Sequence, residues 1–196
     1  MFNLVIFGAP GSGKGTQSEK LIDRYGLHHI STGEVLRSHI AKGTELGKIA
    51  NNYISKGHLI PDDLMINILA DEFDNRPNDK GVIFDGFPRT IPQAQALRQL
   101  LEERGTKVHA VVGLEVPEDE LIERLINRGK ISGRSDDNPE AIKERLDVYH
   151  NQTSPLKDYY TNEKKYHSIH GLGSVDEIFG RIEDELKSIV ADSEAK

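Results

Sequence analysis

The sequence predicts an α/β fold, in which a five-stranded parallel sheet is flanked by helices. Two observations predict it. Apolar runs of strand length alternate with amphipathic runs of helical length along the whole chain, and strands that are separated by helices pair in parallel. In addition, runs such as Leu4-Val5-Ile6-Phe7 are continuously apolar, as is typical of strands that are buried on both faces. The 196 residues, 36% hydrophobic and 29% charged, can build one core without covalent staples.

The elements follow from apolar periodicity and from the residues at their ends. Strands are predicted at 2–7, 28–30, 82–85, 108–116 and 166–170. Helices are predicted at 15–25, 32–41, 44–56, 62–73, 91–104, 117–128, 139–160 and 175–190. Gly26 and Gly105 each follow a predicted helix, as glycine does at helix C-termini, and Pro117 is placed at a first helical position. Pro155 is a possible break in the helix over 139–160.

Composition excludes several classes of function. The chain has no cysteine, so disulfides, thiolate catalysis and cysteine-bound zinc are excluded. Its net charge of −7 is unfavourable for binding long nucleic acids. The apolar runs are too short to cross a membrane, and the start of the chain lacks the basic region of a secretory signal. We therefore expect a cytoplasmic protein, a monomer, with one domain over 1–196.

Two segments exceed a minimal succession of strands and helices. Residues 31–60 place two helices between consecutive strands, and residues 129–138 form a short, charged, glycine-rich loop between two helices. Either could be surface decoration. The alternative is that they are mobile flaps over a site, since such lids are often excursions from a rigid scaffold.

A glycine-rich loop directly follows the first predicted strand and opens a helix. It reads Gly8-Ala9-Pro10-Gly11-Ser12-Gly13-Lys14-Gly15-Thr16. Glycines let backbone N–H groups face an anion, the helix N-terminus adds partial positive charge, and Lys14 adds a full one. The loop therefore predicts a phosphate site and a P-loop fold. Gly15 occupies the position where most such loops carry the Ser or Thr that binds magnesium, and Thr16 is one position later in the sequence.

Carboxylates and arginines extend this predicted phosphate site. Asp85 ends the third strand, at the sheet edge where nucleotides bind in parallel α/β folds, and is the candidate on the magnesium side. Candidate phosphate ligands are Arg37, Arg89, Arg124, Arg128, Arg134 and Arg145. Taken singly, each arginine could belong to a surface ion pair, Arg124 with Glu120 and Arg145 with Asp147. Taken together, planar guanidinium groups suit the transfer of a phosphoryl group between nucleotides.

One acidic pair admits a purely structural interpretation. Asp137 and Glu140 flank Pro139 with the spacing of a capping box at a helix N-terminus. That role could account for Asp137 completely.

The chain resembles the nucleoside monophosphate kinases, and the adenylate kinases among them in particular. The resemblance is carried by GAPGSGKGT at 8–16, STGEVLR at 31–37, DGFPRT at 85–90, RGKISGRSDDN at 128–138 and KERL at 143–146. These motifs occur in the order and spacing of that family and cover essentially the whole chain. The resemblance implies a reversible reaction, MgATP + AMP giving two ADP. It also implies an NMP-binding flap at 31–60 and a short lid at 127–137, which lacks the length and the cysteines of zinc-binding lids.

The resemblance also implies a role for each candidate residue. It implies a catalytic set of Lys14, Arg89, Arg128, Arg134 and Arg145. It implies contacts to ATP from Gly11, Ser12, Gly13, Lys14, Gly15, Thr16, Arg124, Arg128 and Gly173. It implies contacts to AMP from Thr32, Arg37, His58, Leu59, Ile60, Gly86, Phe87, Pro88, Arg89, Gln93, Arg134 and Arg145. Asp85 would position Mg²⁺ through water, Mg²⁺ entering with ATP. Catalysis would then consist of positioning and charge stabilisation, with no general base.

Alternative functions are distinguished by single features. A UMP/CMP kinase of the same family shares the lid motif, but Thr32 and Gln93 have the form that goes with adenine. A GTP-dependent switch needs an Asn-Lys-x-Asp element, and the chain has no Asn-Lys pair. A non-catalytic P-loop module would have no physical need for the full arginine set. We therefore expect ATP, AMP and ADP as the partners, without nucleic acid or membrane.

Overall fold

A computed structural model describes residues 1–75 and 80–194 and shows the predicted parallel sheet. Within these residues the sheet has five strands in the order β2-β3-β1-β4-β5, and all four pairings are parallel. The strands are β1 (Leu4–Gly8), β2 (His28–Ser31), β3 (Val82–Asp85), β4 (Ala110–Glu115) and β5 (Tyr166–His170). The predicted fold class is confirmed.

Helices lie between and after the strands. They are α1 (Lys14–Tyr25), α2 (Thr32–Ala41), α3 (Glu45–Ile54), α4 (Asp62–Asp74), α5 (Ile91–Glu103), α6 (Glu118–Ser132), α7 (Pro139–Val148), α8 (Leu156–Asn162) and α9 (Val175–Glu194). A π-helical turn, Tyr149–Thr153, joins α7 to α8. The helix predicted over 139–160 is therefore interrupted before Pro155.

The sheet is buried on both faces because the strands alternate their side chains between two cores. Val5 and Phe84 face one core, which the helices α4, α5 and α8 cover. Leu4 and Ile83 face the other core, which α1 and α9 cover. This two-sided burial explains why the strand sequences are apolar throughout rather than alternating.

Strand order brings the two predicted phosphate-site strands side by side. β1 lies between β3 and β4, and Ile6 is in register with Asp85. The chain leaves β1 toward β2 on one side of the sheet and later crosses to β4 on the other. The loop after β1 therefore opens at the point where the strand order reverses, which is where parallel α/β sheets bind ligands.

Two sequence predictions near the lid are wrong. The helix predicted to end at Arg128 continues through Gly129 to Ser132, so the connecting loop starts at Gly133 rather than at Gly129. The N-cap of α7 is Asn138, whose Oδ1 accepts a hydrogen bond from the Ala141 N–H at 2.9 Å. Asp137 does not form the predicted capping box, because its carboxylate binds arginines instead.

Candidate active site

The glycine-rich loop wraps around the start of α1. Gly13 is the N-cap of this helix, with a φ of +94° that side chains rarely allow, and no side chain caps the free backbone N–H groups. Lys14 Nζ lies over the loop and donates to the carbonyl oxygens of Gly8 at 2.9 Å and Ala9 at 3.1 Å. Burial, helped by the nearby guanidinium groups of Arg89 and Arg145 and opposed by the charge of Asp85, lowers the pKa of Lys14 to about 7. A bound anion would favour the charged form of Lys14 and raise this pKa.

Asp85 lies next to this loop at the carboxyl end of β3. It is buried, and its Oδ2 is 3.3 Å from His29 Nε2. Burial alone would raise its pKa, but the His29 contact and the charge of Lys14 outweigh burial and keep the pKa below its usual value. Asp85 is therefore an ionised carboxylate at the edge of the phosphate loop.

A cleft of about 1110 Å³ opens in front of the loop and collects the predicted arginines. Of the described residues, seven cationic side chains line it against three carboxylates, Glu19, Glu34 and Asp85. The cations are Lys14, Arg37, Arg89, Arg124, Arg128, Arg134 and Arg145. Gly11, Gly13, Gly15 and Thr16 line it as well. In a protein of net charge −7, this concentration of positive charge favours a polyanionic ligand.

Arg89 and Arg145 lie at the inner end of the cleft. Burial, together with the neighbouring charge of Arg145, lowers the pKa of Arg89 to about 10. Burial also lowers the pKa of Arg145, while Asp136 opposes the shift. Arg89 Nε donates to the Gly86 carbonyl at 2.8 Å. The two guanidinium groups thus repel each other in a desolvated site, and an anion bound between them would offset this repulsion.

Asp137 occupies two of the phosphate-site arginines. Arg128 binds it through two hydrogen bonds, Nε to Oδ2 at 2.6 Å and Nη2 to Oδ1 at 2.7 Å, and Arg145 Nη1 donates to Oδ1 at 2.8 Å. The structural alternative for Arg145, an ion pair with Asp147, is wrong, since Arg145 pairs with Asp136 and Asp137. Asp137 therefore bridges the two guanidinium groups, binding Arg128 through both carboxylate oxygens and Arg145 through one.

A second pocket, of about 520 Å³, adjoins the cleft on the side of α2 and α3. It shares Arg37, Arg89 and Arg145 with the cleft. Its lining also includes five apolar side chains, those of Leu36, Ile54, Leu59, Ile60 and Met65, and the ring of His58. A molecule with a phosphate at one end and a flat ring at the other would fit this division of polar and apolar walls.

Thr32 and Gln93 both line this pocket and are both buried. The Thr32 hydroxyl donates to the Gly86 carbonyl at 3.0 Å, and Ser31, not Thr32, caps α2. Gln93 does not face solvent: its Oε1 accepts from the Arg89 backbone N–H at 2.8 Å, and its Nε2 donates to Asp62 Oδ1 at 2.8 Å. The Gln93 side chain can still form one hydrogen bond through Nε2 and one through Oε1.

A third pocket, of about 530 Å³, lies behind the loop and contains the remaining predicted residues of the AMP set. Gly86, Phe87 and Pro88 line it together with Lys14, Arg89 and Arg145. The hydroxyl of Thr153, in the π-helical turn, donates to the Arg89 carbonyl at 2.8 Å. The chain after α7 thus braces the segment that carries Arg89.

Two predicted ATP contacts, Ser12 and Gly173, are outside the cleft lining that the described residues form. Ser12 is buried behind the loop, and among the described residues its hydroxyl has no hydrogen-bond partner. Gly173 is outside the lining of the cleft as far as the described residues define it, next to Glu177 and Arg181. Arg124 reaches toward the loop that contains Gly173: its Nη2 donates to the Gly171 carbonyl at 3.3 Å, and its Nε pairs with Glu120 at 2.7 Å, the structural alternative noted above.

Sequence reasoning missed two residues that organise the site. Asp62 binds Gln93 from 31 positions away, and no local pattern points to this contact. For Asp137 the sequence suggested a helix-capping role, although the arginines around it were a signal for ion pairing.

The ranges 1–75 and 80–194 contain no group of three or more His, Cys, Asp and Glu side chains that could hold a metal. Within the same ranges, no helix is both long enough and apolar enough to cross a bilayer.

Comparison with known proteins gives consistent results. A family model described as adenylate kinase matches residues 6–165. A Bacteroides thetaiotaomicron protein named adenylate kinase is 65% identical over 182 residues, which cover 93% of this chain and 96% of the relative. Proteins of the same name from Parabacteroides distasonis, with 61% identity over 96% of this chain and 100% of the relative, and from Porphyromonas gingivalis, with 57% identity over 93% and 94%, are also similar.

Proposed function

The chain belongs to the adenylate kinase family, and on this premise we propose that its cleft transfers a phosphoryl group from MgATP to AMP, reversibly, giving two ADP. The protein is an ATP:AMP phosphotransferase. The observation that carries this function is the convergence of three cations, Lys14, Arg89 and Arg145, which line both the cleft and the third pocket and whose pKa values are all lowered by desolvation. Phosphoryl transfer between two nucleotides brings several negative charges to one point, so it needs such a site.

We assign the two substrates to the two sides of this point. ATP lies along the glycine-rich loop and the cleft, with Arg124 and Arg128 toward its phosphates and base. AMP lies in the adjoining pocket, with its phosphate at Arg37 and Arg89 and its base against the apolar wall. The arginines common to both spaces support this assignment, since the transferred group must pass between them. Catalysis is positioning and charge stabilisation, because the acceptor is already a phosphate oxygen.

Mg²⁺ fits this site as a partner of the nucleotide. Asp85 is an ionised carboxylate beside the phosphate loop, and Mg²⁺ is typically bound by one or two carboxylates together with water and substrate phosphates. Asp85 would hold the ion through water, with Thr16 close by in the cleft wall. When bound, the ion would neutralise charge on the ATP phosphates.

The segments 31–60 and 127–137 are proposed as the NMP-binding flap and the lid. They face each other across the cleft: Arg134 in the lid contributes to the lowered pKa of Arg37 in the flap, after the larger effect of burial. Repulsion between the two guanidinium groups keeps these segments apart until a phosphate lies between them. Location in the cytoplasm and a monomeric state stay predictions.

The decisive assay is ADP formation from ATP with each of AMP, GMP, CMP and UMP. We expect AMP to be the preferred acceptor. Use of CMP or UMP in preference to AMP would assign the chain to the pyrimidine branch of the family, and no ADP from any of the four would overturn the proposed function.

Base selectivity tests the role of Gln93. In Gln93→Leu, we expect the ratio of kcat/KM for AMP over CMP to fall by about tenfold, because an unpaired buried polar group costs roughly 1–3 kcal/mol. The neighbouring variant Gln95→Leu is the matched control, since Gln95 lies on α5 but is exposed. An unchanged ratio in Gln93→Leu would remove Gln93 from base recognition.

A further inference from the structure

A closed set of hydrogen bonds links the start of α4 to the start of α5. Asp62 Oδ1 accepts from Thr90 Oγ1 at 3.0 Å and from Gln93 Nε2 at 2.8 Å. Thr90 Oγ1 accepts in turn from the Gln93 backbone N–H at 3.3 Å, as the N-cap of α5. Gln93 Oε1 accepts from the Arg89 backbone N–H at 2.8 Å.

These bonds allow only one orientation of the Gln93 amide. A carboxylate offers only lone pairs, and a backbone N–H offers only a proton. If the amide turned over, Oε1 would face the Asp62 carboxylate and Nε2 would face the Arg89 N–H, so two hydrogen bonds would become two repulsive contacts. Gln93 is only 2% exposed, so water cannot replace either partner.

The fixed orientation has a consequence for the base. After these two bonds, one N–H remains on Nε2 and one lone pair remains on Oε1. This pair matches adenine, whose N1 accepts and whose 6-amino group donates. Hypoxanthine presents the opposite pattern, because its N1–H donates and its 6-oxygen accepts, and it would fit the amide only if the amide turned over.

We propose that Asp62 is a positioning residue that fixes the Gln93 amide in the orientation that selects adenine over hypoxanthine at the monophosphate pocket. This inference rests on the proposed function. Asp62 is not among the described residues that line the pocket. It acts from behind Gln93, through the contact with Nε2.

A helix-terminus role for Asp62 is the competing explanation. Asp62 is in the first turn of α4, where a carboxylate favours the helix dipole. Asp63 lies in the same first turn and is exposed. Asp63→Ala therefore removes the same kind of terminal charge and is the matched control.

The experiment compares kcat/KM for AMP and IMP, with ATP as donor, in the parent, Asp62→Ala, Asp62→Asn and Asp63→Ala. Where IMP turnover is below detection, its Ki as a competitor of AMP replaces it. In Asp62→Ala we expect the AMP:IMP ratio to fall about tenfold, the size of effect that one lost buried hydrogen bond implies. Asp62→Asn should give a smaller fall in the same direction, since its amide can offer an N–H to a turned Oε1. Asp63→Ala should keep the parent ratio.

Control measurements separate orientation from folding. The KM for ATP and the kcat at saturating AMP should stay close to the parent values in every variant, because Asp62 does not touch the transfer point. If Asp62→Ala melts below the assay temperature, the isosteric Asp62→Asn provides the test. A parent that uses AMP, together with an AMP:IMP ratio in the folded Asp62 variants equal to that of Asp63→Ala, would overturn the inference alone. A parent that forms no ADP from AMP would overturn the proposed function and the inference with it.

Discussion

At the scale of single residues, Lys14 is a charged side chain that is held at a cost to the fold. Its ammonium group lies near the charges of Arg89 and Arg145, and among the described residues two loop carbonyls and the charge of Asp85 favour its charged form. A structural lysine would be paired with a carboxylate or would reach solvent. The arrangement is explained if the group that Lys14 is meant to meet is a phosphate.

We expect Lys14→Met to lower kcat by roughly 10²–10³-fold while the protein remains folded. The loss is that of a charge contact made to the transferred group in the transition state. The measurement is ADP formation under saturating ATP and AMP, with circular dichroism as the check on folding. Lys20→Met, on the same helix but in a surface ion pair with Asp176, is the matched control. Near-parent turnover of folded Lys14→Met would contradict the phosphate-loop assignment.

The lowered pKa of Lys14 predicts a pH dependence of stability. The pKa is about 7 in the folded chain and 10.5 without the fold, so between these values the unfolded chain binds more protons. The free energy of unfolding therefore rises with pH across this window, and Lys14 destabilises the fold toward pH 7. We expect this contribution to the slope to disappear in Lys14→Met, as measured by urea unfolding at several pH values. An identical slope in both proteins would contradict the lowered pKa.

Ligand binding should reverse that shift. Phosphate oxygens next to Nζ favour the ammonium form and raise the pKa of Lys14. Binding of a non-hydrolysable ATP analogue at about pH 8 should therefore take up protons through Lys14. Calorimetry in buffers of different ionisation enthalpy measures this uptake, and a lower uptake in Lys14→Met assigns it. Equal proton uptake by the parent and by Lys14→Met would show that a group other than Lys14 takes up the proton.

At the scale of elements, the sequence predicted the sheet and most helix ends because these are local or periodic features. β3 and β5 occur at the predicted residues, and Gly26 ends α1 as predicted, accepting the αL conformation at φ +65°. These outcomes follow from apolar runs and from glycine alone. The same holds for the position of Asp85, which depends only on where a parallel strand ends.

The wrong predictions concern elements that tertiary contacts decide. α6 runs past Gly129 because this glycine packs closely against the next segment: a Cβ there would lie 2.5 Å from the Asp137 carbonyl oxygen. Asp137 leaves the helix cap because Arg128 and Arg145 bind it more strongly than free backbone N–H groups do. Neither contact has a signature within a window of sequence.

Two glycines in the flap give a matched test of its contact with α7. Gly57 and Gly43 have φ values of +80° and +65°, which cost an alanine about 1 kcal/mol of unfolding free energy each. A Cβ at Gly57 would meet the Ala141 carbonyl oxygen at 2.7 Å, whereas none of the described atoms lies within 4 Å at Gly43. Both alanine variants should lose similar stability. Only Gly57→Ala should raise the KM for AMP, because its Cβ would push the flap away from α7. We expect a rise of about fivefold, which corresponds to a penalty near 1 kcal/mol on the arrangement that binds AMP.

Steady-state kinetics and thermal unfolding of the two variants check this prediction. The KM for ATP is measured in parallel, because a Cβ at Gly57 would also lie 3.0 Å from Arg145 Cγ, and a rise confined to AMP separates the flap contact from a displacement of Arg145. Equal KM values for AMP in both variants would show that the contact between flap and α7 plays no part in AMP binding.

At the scale of the whole molecule, the cleft is lined by residues at the edge of the central sheet and by residues of the two segments proposed as the flap and the lid. Lys14 and Asp85 are fixed by neighbouring central strands, whereas Arg37 belongs to the flap and Arg134 to the lid. An ADP-forming kinase must also exclude water from the transferred phosphoryl group, or it would hydrolyse ATP without an acceptor. If the flap and the lid close only when both substrates are bound, closure brings Arg37 and Arg134 to the phosphates and also excludes water.

A ligand that joins two adenosines through five phosphates should therefore close both segments. Such a ligand supplies the phosphates that Arg37 and Arg134 lack in the free protein, and it replaces the repulsion between them with two attractive contacts. We expect slower amide hydrogen exchange at 31–60 and 127–137. Exchange in α9, which covers the opposite face of the sheet, is the internal control and should change little. Unchanged exchange in both segments at saturating ligand would contradict closure, and equal slowing in α9 would indicate a general gain in stability instead.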